Sequence, residues 1–406
     1  MKAAGDVQGF LPYGRQVIEE DDLDAVREAL LSPMLTTGPL VQQFESALAA
    51  ATGAAEAVVC ANGTAALHLA ARAIRLDRCQ SAVVPSVTFV ATANAVRYCD
   101  AEVVFADVDP ETGLMTPETL LAALRRAPPS VRAAFPVHLN GASCDMAGIA
   151  EIARNWGLWI VEDACHAIGG TQGPAASPVG ACAHSDLACF SFHPVKTIAM
   201  GEGGAITASD AALAAAMRRD RSHGLVREPD AFTLADSRGA DGAPNPWFYE
   251  LREPGFNYRA PDILCALGLS QLRKLQRFVG QRRRLMALYR EALAPLAPVL
   301  RLVEEPAHGM AAWHLCVARI DFAAAGIDRA ALMRRLAEAG IGSQVHYIPV
   351  HRQPYYAARY PELDLPGADA YYARCLSLPL FAAMTESDVT RVAAALTAAL
   401  AGRPAP

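Results

Sequence analysis

Short apolar runs alternate with amphipathic stretches from about residue 57 to residue 209, and that alternation predicts repeated strand–helix units. The strand candidates are AVVC (57–60), AVVP (82–85), AEVVFADV (101–108), VRAAFPVH (131–138), LWIVED (158–163), DLACFSF (186–192) and GAITAS (204–209). Helix-period segments lie between several of them, at 64–74, 116–127 and 145–157, the last two opening on a Thr and an Asp suited to capping. Units of this kind build an α/β fold, a mostly parallel sheet with helices on both faces. The Gly- and Pro-rich stretch from Asp236 to Pro246 reads as a surface loop. After it, Pro261 to about Leu296 reads as one long helix or a bent pair. Apolar runs at 313–320 and 343–350 then flank a helix, 328–340, that Gly340 stops. The expected organisation is an N-terminal segment and large α/β domain over residues 1–260, followed by a connecting helix and a smaller α+β domain over 261–406.

Composition narrows the function. The chain has 406 residues, 52% of them apolar, which is enough for a substantial core. A net charge of -6 leaves no basic stripe, so nucleic-acid binding has no electrostatic basis. A small anion can still be held by a few local donors. No apolar leader marks Met1 to Tyr13, and no long uncharged apolar stretch follows, so a cytoplasmic protein without membrane attachment is expected. The ten cysteines are scattered, and those at 60, 99, 189 and 265 sit among apolar neighbours, which reads as buried free thiols. The loose set Cys182, His184, Cys189 and His193 lacks a tight ligand pair, so no metal is expected.

Among 36 basic residues only Lys2, Lys196 and Lys274 are lysines. Where arginine serves every ordinary need for charge, a retained lysine points to a task that guanidinium cannot perform, such as nucleophilic attack by an amine. Lys2 is terminal, and Lys274 lies in the arginine-rich run 273–284 that reads as a solvated face. That leaves Lys196.

In parallel α/β sheets ligands gather at the carboxyl ends of the strands. Three such ends carry candidate chemistry. Asn62-Gly63-Thr64-Ala65 follows AVVC and opens a helix, which is either a simple cap or a phosphate site built from free N–H groups and a hydroxyl. Glu162-Asp163-Ala164-Cys165-His166 ends LWIV, and an acid there is either a cap or a charge partner; beside a pyridine nitrogen it would keep that nitrogen protonated. FSFHPVKT (190–197) runs out of a strand into a loop that bears Lys196, and the cluster Gly201, Gly203 and Gly204 lets the chain turn back.

The loop FSFHPVKTIAMGEGGA resembles the lysine loop of the DegT/DnrJ/EryC1/StrS sugar aminotransferases, which have the type I fold of pyridoxal-phosphate enzymes. The resemblance extends over MLTTGPLVQQFE (34–45), NGTAAL (62–67), PSVTFVATANAV (85–96), VHLNGASCDM (137–146), VEDACHAIGG (161–170), RSHG (221–224), GFNYRAPDILCALGLSQL (255–272) and VHYIPVH (345–351). Within the family these motifs are most similar to the branch that aminates UDP-linked 4-keto-sugars on the way to pseudaminic acid, although Asn140 stands where that branch usually has a small residue. The resemblance implies pyridoxal 5′-phosphate (PLP, with its amine form PMP) as cofactor. It implies Lys196 as the amine that joins it, Asp163 at the ring nitrogen, His166 near the phenolic oxygen and Phe89 on the ring face. Gly63, Thr64, Ala65 and Ser191 would hold the phosphate, joined by Asn257 from the partner subunit of a homodimer. Tyr13, Thr37, Gly38, His346 and Tyr347 fall where the family gathers substrate. The implied reaction moves the amino group of L-glutamate, released as 2-oxoglutarate, to the 4-keto carbon of UDP-2-acetamido-2,6-dideoxy-β-L-arabino-hexos-4-ulose. A perosamine- or bacillosamine-type keto-sugar is the alternative. A family dehydratase would carry histidine in place of Lys196, and a regulator would want a helix-turn-helix or a basic face.

Overall fold

The computed structural model describes residues 9–401, so Lys2 lies outside the described residues. Helices α1 (Glu20–Leu31) and α2 (Pro39–Thr52) precede a seven-stranded sheet. Its strands are β1 (Glu56–Cys60), β2 (Ser81–Pro85), β3 (Glu102–Ala106), β4 (Val131–Ala134), β5 (Trp159–Asp163) and, past the two-residue ladder of β6 (Thr171–Gln172) and β7 (Ser177–Pro178), β8 (Leu187–Ser191) and β9 (Gly204–Ala208). The spatial order is β1-β9-β8-β5-β4-β2-β3. Every neighbouring pair is parallel except at β9, which runs antiparallel to both β1 and β8. Helices α3 (Gly63–Ala73), α4 (Val90–Tyr98), α5 (Pro117–Arg126), α6 (Met146–Trp156) and α7 (Ala211–Arg221) cover the sheet.

Local chemistry explains these boundaries. Asn62 caps α3 by accepting from the Ala65 N–H at 2.8 Å, Asp145 caps α6 through Gly148, and Thr116 and Thr119 form a reciprocal box at α5. The run at 131–138 leaves the sheet after Ala134, because Pro136 has no N–H to offer; only its carbonyl, which accepts from Asp163, and a single bridge from Val137 to Asp163 continue the pairing.

The short pair β10 (Leu225–Val226) and β11 (Glu250–Leu251) frames the Gly/Pro-rich loop. The long helical stretch is a bent pair, α8 (Asp262–Arg273) and α9 (Leu275–Leu293), broken at Lys274. The C-terminal part contains β12 (Leu300–Leu302), β13 (Cys316–Ile320) and β14 (Cys375–Leu378) in one antiparallel sheet. Around it lie α10 (Phe322–Ala325), α11 (Arg329–Glu338), α12 (Pro354–Arg359), α13 (Pro366–Arg374) and α14 (Glu386–Leu400). The apolar run at 343–350 is not a strand: Gln344 alone pairs, with Ser377, and the chain then turns in toward the large sheet. Leu11 bridges Ile341 and the Tyr13 carbonyl accepts from Leu380, so the N-terminal segment also lies on the C-terminal part.

One expectation fails outright. Lys274 is 7% exposed and its amine meets Asp22 at 2.8 Å, Asp21 at 2.5 Å and Glu19 at 3.2 Å. The arginine-rich run hid it, since helical periodicity turns position 274 toward α1 while Arg273 and Arg277 stay outside. Seven of the ten thiols are buried; Cys99 and Cys165 are half-buried and Cys79 is exposed. Among the described residues no helix is long and apolar enough to cross a membrane, and no group of three or more His, Cys, Asp or Glu side chains could hold a metal.

Candidate active site

A cleft of about 660 Å³ opens where the carboxyl ends of β1, β5 and β8 meet the segment 344–348 from the C-terminal part. It is lined by Tyr13, Gly63, Thr64, Phe89, Asp163, His166, Ser191, Lys196, His346 and Tyr347, so ten of the fourteen residues singled out from sequence converge there.

Lys196 sits on a tight excursion between β8 and β9. The base of that loop is closed by Phe192 N–H to the Gly203 carbonyl and Met200 N–H to the Phe192 carbonyl, each 2.8 Å. Within it the Lys196 N–H meets the His193 carbonyl at 2.8 Å, which aims the side chain into the cleft. Burial pushes the amine below its usual 10.5, against the opposing pull of Cys165 and Asp163, so more of it is neutral and nucleophilic than in a free lysine. The glycine at 204 is a steric requirement: a Cβ there would lie 2.2 Å from the Asn62 carbonyl oxygen.

Asp163 ends β5 and is 6% exposed. Its Oδ2 accepts from the Thr92 hydroxyl at 2.6 Å and its Oδ1 from the Cys165 N–H at 3.2 Å. Thr88 braces Thr92 at 2.8 Å. His166 follows on the next turn; its Nε2 lies 3.3 Å from the Tyr347 hydroxyl, while its buried Nδ1 has no partner. Burial, with the nearby Lys196 charge, holds this ring in its neutral form. Burial also takes His346 down to about 3, with its Nδ1 2.8 Å from the Ser377 hydroxyl. Phe89 precedes α4 and is 56% exposed, its ring over the cleft mouth 6.0 Å from that of Tyr347; it is not a core aromatic.

At the start of α3 both sequence readings hold together. Asn62 is a cap and consumes the Ala65 N–H, so Ala65 has no free donor and does not line the cleft. The amides of Gly63 and Thr64 remain, with the Thr64 and Ser191 hydroxyls alongside. Gly63 is needed for this approach: a Cβ would stand 2.8 Å from that of Ser191.

Three predicted residues lie elsewhere in the single chain. Thr37 and Gly38 line a separate cavity of about 680 Å³ with Glu45, Arg218, Arg221 and Arg259, and the Gly38 amide is taken by Asp262 at 2.7 Å. Asn257 is exposed, bridges Ser222, and does not reach the cleft of its own chain. Sequence reasoning also passed over Thr92, Cys165 and His314. Thr92 was legible as the residue one turn beyond Phe89 on the same helix face, whereas His314 comes from a distant part of the chain and only the fold brings it in.

The residues fit a planar, anionic, aldehyde-bearing ring with a basic nitrogen: an amine for the aldehyde, a carboxylate for the nitrogen, an orphaned imidazole nitrogen beside it, and a glycine-opened helix start for a phosphate. Sheet order with its single reversed strand and this constellation define a PLP-dependent aminotransferase of the type I fold. The chain belongs to the DegT/DnrJ/EryC1/StrS aminotransferase family, whose profile matches residues 16–397. It is 38% identical over 387 residues to the spore coat polysaccharide biosynthesis protein SpsC of Bacillus subtilis (strain 168), covering 94% of this chain and 95% of the relative. PseC of Helicobacter pylori, an aminotransferase involved in the biosynthesis of pseudoaminic acid, superposes with TM-score 0.87 at 25% identity, covering 97% of this chain and 100% of PseC. DesI, solved in the presence of its TDP-sugar product, gives TM-score 0.83 at 31% identity over 97% of this chain and 94% of DesI. The protein is a sugar aminotransferase that uses PLP.

Proposed function

We propose that this enzyme transfers the amino group of L-glutamate to the 4-keto carbon of UDP-2-acetamido-2,6-dideoxy-β-L-arabino-hexos-4-ulose. The observation that carries the catalytic part is the meeting of the Lys196 amine with the Asp163 carboxylate in one cleft. PLP, when bound, supplies the aldehyde that the amine joins and a ring that draws electrons from the substrate carbon. Lys196 then holds and returns the proton at that carbon, and the face it occupies sets the configuration of the product. Asp163, held by Thr92 and Cys165, keeps a proton on the ring nitrogen; His166 offers a hydrogen bond beside the ring. Gly63, Thr64 and Ser191 receive the phosphate, and Phe89 shields one ring face.

Tyr13, His346 and Tyr347 line the cleft and bind the sugar. Asn257, Thr37 and Gly38 reach a second copy's cleft in a homodimer with shared sites; that none of them lines the cleft of its own chain supports this reading. The pseudaminic branch is supported by the motifs TFVATANAV, SFHPVK, FNYR and VHYIPVH and by the likeness to PseC. The higher identity to SpsC favours a second reading, in which the acceptor is another nucleotide-linked keto-sugar of perosamine or bacillosamine type.

Incubation with L-glutamate and a panel of UDP-, GDP- and TDP-linked keto-sugars, with mass detection of the aminated sugar, tests both. Amination of the UDP-4-keto-N-acetyl sugar above all others is expected. Preference for a GDP- or TDP-linked acceptor would establish the second reading, and failure of glutamate to load the enzyme would overturn the proposed donor. An active monomer at high dilution would contradict the shared site.

A further inference from the structure

His314 is 4% exposed yet its ring makes no hydrogen bond among the described residues, and its Nδ1 is buried without a partner. The other buried histidines are engaged: His138 with Glu162, His346 with Ser377, His351 with Ser86, His68 with Tyr258 and His166 with Tyr347. Leaving a buried polar atom unpaired is costly, so an orphan on a residue that lines a cleft marks the place of a ligand. His314 lines the cleft, with its ring centroid 4.4 Å from that of His166, whose Nδ1 is also unpaired.

The backbone of His314 is pinned from both sides. Its N–H donates to the Asn140 carbonyl at 2.8 Å, on a residue held at φ 64°. Its carbonyl accepts from Arg282 Nη1 at 3.1 Å, and the same nitrogen reaches the Leu380 carbonyl at 2.8 Å. Arg282 is 1% exposed, and among the described residues no carboxylate pairs with it. Desolvation alone takes its pKa down to about 10, so it remains a cation at neutral pH. An uncompensated guanidinium at that depth is expensive to keep and gives the adjacent wall a positive potential. Among the described residues no arginine lines the cleft itself, although all but three of the 36 basic residues in the chain are arginine.

We infer that His314 donates a ring N–H to a carboxylate of the amino-acid donor, and that Arg282 is the positioning residue that holds His314 there. This rests on the proposed reading of the cleft as the place where an amino acid loads the enzyme. The donor carries its α-carboxylate one bond from the carbon that faces Lys196, so an anion has to be received at the inner wall. The keto-sugar presents only neutral groups near its reacting carbon, and its charged diphosphate is several bonds away, toward the mouth. A positive inner wall with an unpaired N–H therefore discriminates for the amino acid.

The test uses holoenzyme, succinate as a dicarboxylate that cannot react, and calorimetric titration. His314→Leu should weaken succinate about tenfold or more and raise the KM for glutamate by a similar factor, while the visible cofactor band, the melting temperature and the KM for the keto-sugar stay as in the parent. His314→Gln, which keeps an N–H, should recover part of the loss. Arg282→Met should weaken succinate in the same direction, and Arg282→Lys, which keeps the charge, should bind succinate more tightly than His314→Leu; weakening as large as in His314→Leu would overturn the part given to the Arg282 charge. An unchanged succinate Kd in His314→Leu overturns the inference, as does an equal rise in the sugar KM, loss of the cofactor band, or a parent enzyme that does not bind succinate. A parent that binds succinate but is not loaded by glutamate sinks the donor proposed above instead.

Discussion

Gly63→Ala separates cofactor binding from fold stability. The added Cβ would stand 2.8 Å from Ser191 Cβ, 3.2 Å from Ser191 Oγ and 3.3 Å from Cys165 Sγ. Carbon atoms in contact prefer about 3.5 Å or more, and Ser191 Cβ cannot swing away because it is fixed to β8. The first turn of α3 must therefore retreat by about 0.7 Å. Residue 63 has no positive φ, so alanine suits the backbone, and its better helix propensity returns up to about 1 kcal/mol. Overpacking costs about 1–3 kcal/mol, which propensity offsets only in part, so the cofactor-free protein loses up to about 2 kcal/mol. The retreat nevertheless withdraws the Gly63 and Thr64 amides from the place proposed for the phosphate. An N–H bond to a charged group contributes about 1.5–3 kcal/mol, so misaligning one of them weakens PLP by about tenfold to a hundredfold. Titrating apo-protein with PLP by quenching of intrinsic fluorescence measures this directly. A PLP Kd within twofold of the parent, in a variant that still folds, would refute the assignment of the phosphate to this helix.

Lys196→Arg should abolish the visible absorbance of the lysine–cofactor conjugate and all turnover, because guanidinium does not join an aldehyde; a surviving band in the spectrum of the purified variant would contradict the role of Lys196. The rate at which apo-enzyme combines with PLP should rise with pH around a midpoint below 10.5, since burial favours the neutral amine of Lys196 in the folded chain; stopped-flow traces giving a midpoint at or above 10.5 would contradict the buried-amine argument. Asp163→Asn should leave PLP binding measurable while slowing the glutamate half-reaction severely, and equal half-reaction rates would remove the carboxylate from the ring nitrogen. Lys274→Met leaves Asp22, fully buried, without its cation and should cost about 3 kcal/mol in denaturant unfolding; a loss under about 1 kcal/mol would mean that the ion cluster is incidental.

The strand and helix units of the large domain were legible because each combines an apolar run with a cap or a glycine stop, as at Asn62, Asp145 and Gly157. The lysine was legible from composition, and the acid from its place at the end of a strongly apolar strand. Other features depended on contacts between distant segments, which no local pattern records. The antiparallel turn of β9 follows from the short 192–203 loop, too short to carry a crossover helix. The tail of the 131–138 run and the 343–350 run look like strands by hydrophobicity, yet Pro136 and Pro349 lack the N–H that pairing needs. His314 and Thr92 join the site through tertiary packing, and Lys274 is buried by a helix more than 240 positions earlier in the chain.

The two adjacent acids at the end of β5 show how much follows once register is known. Successive strand residues face opposite sides, so Asp163 enters the cleft while Glu162 enters the core. Glu162 is fully buried, and burial alone would raise its pKa. His138 at 2.6 Å, Ser185 and Gln172 at 3.3 Å outweigh that and hold it ionised. The Cys144 N–H donates to His138 Nδ1 at 3.2 Å, which places the ring's proton on Nε2, toward the carboxylate. His138 also gives its backbone N–H to the Asp163 carbonyl at 3.0 Å. The buried acid thus anchors the same two backbone segments that carry the cleft acid, and the position of Asp163 is set by a network on the side of the sheet away from the cleft. An apolar residue at 162 would orphan three donors at once, so the requirement for an acceptor there is structural, and the proposed chemistry lies with its neighbour Asp163.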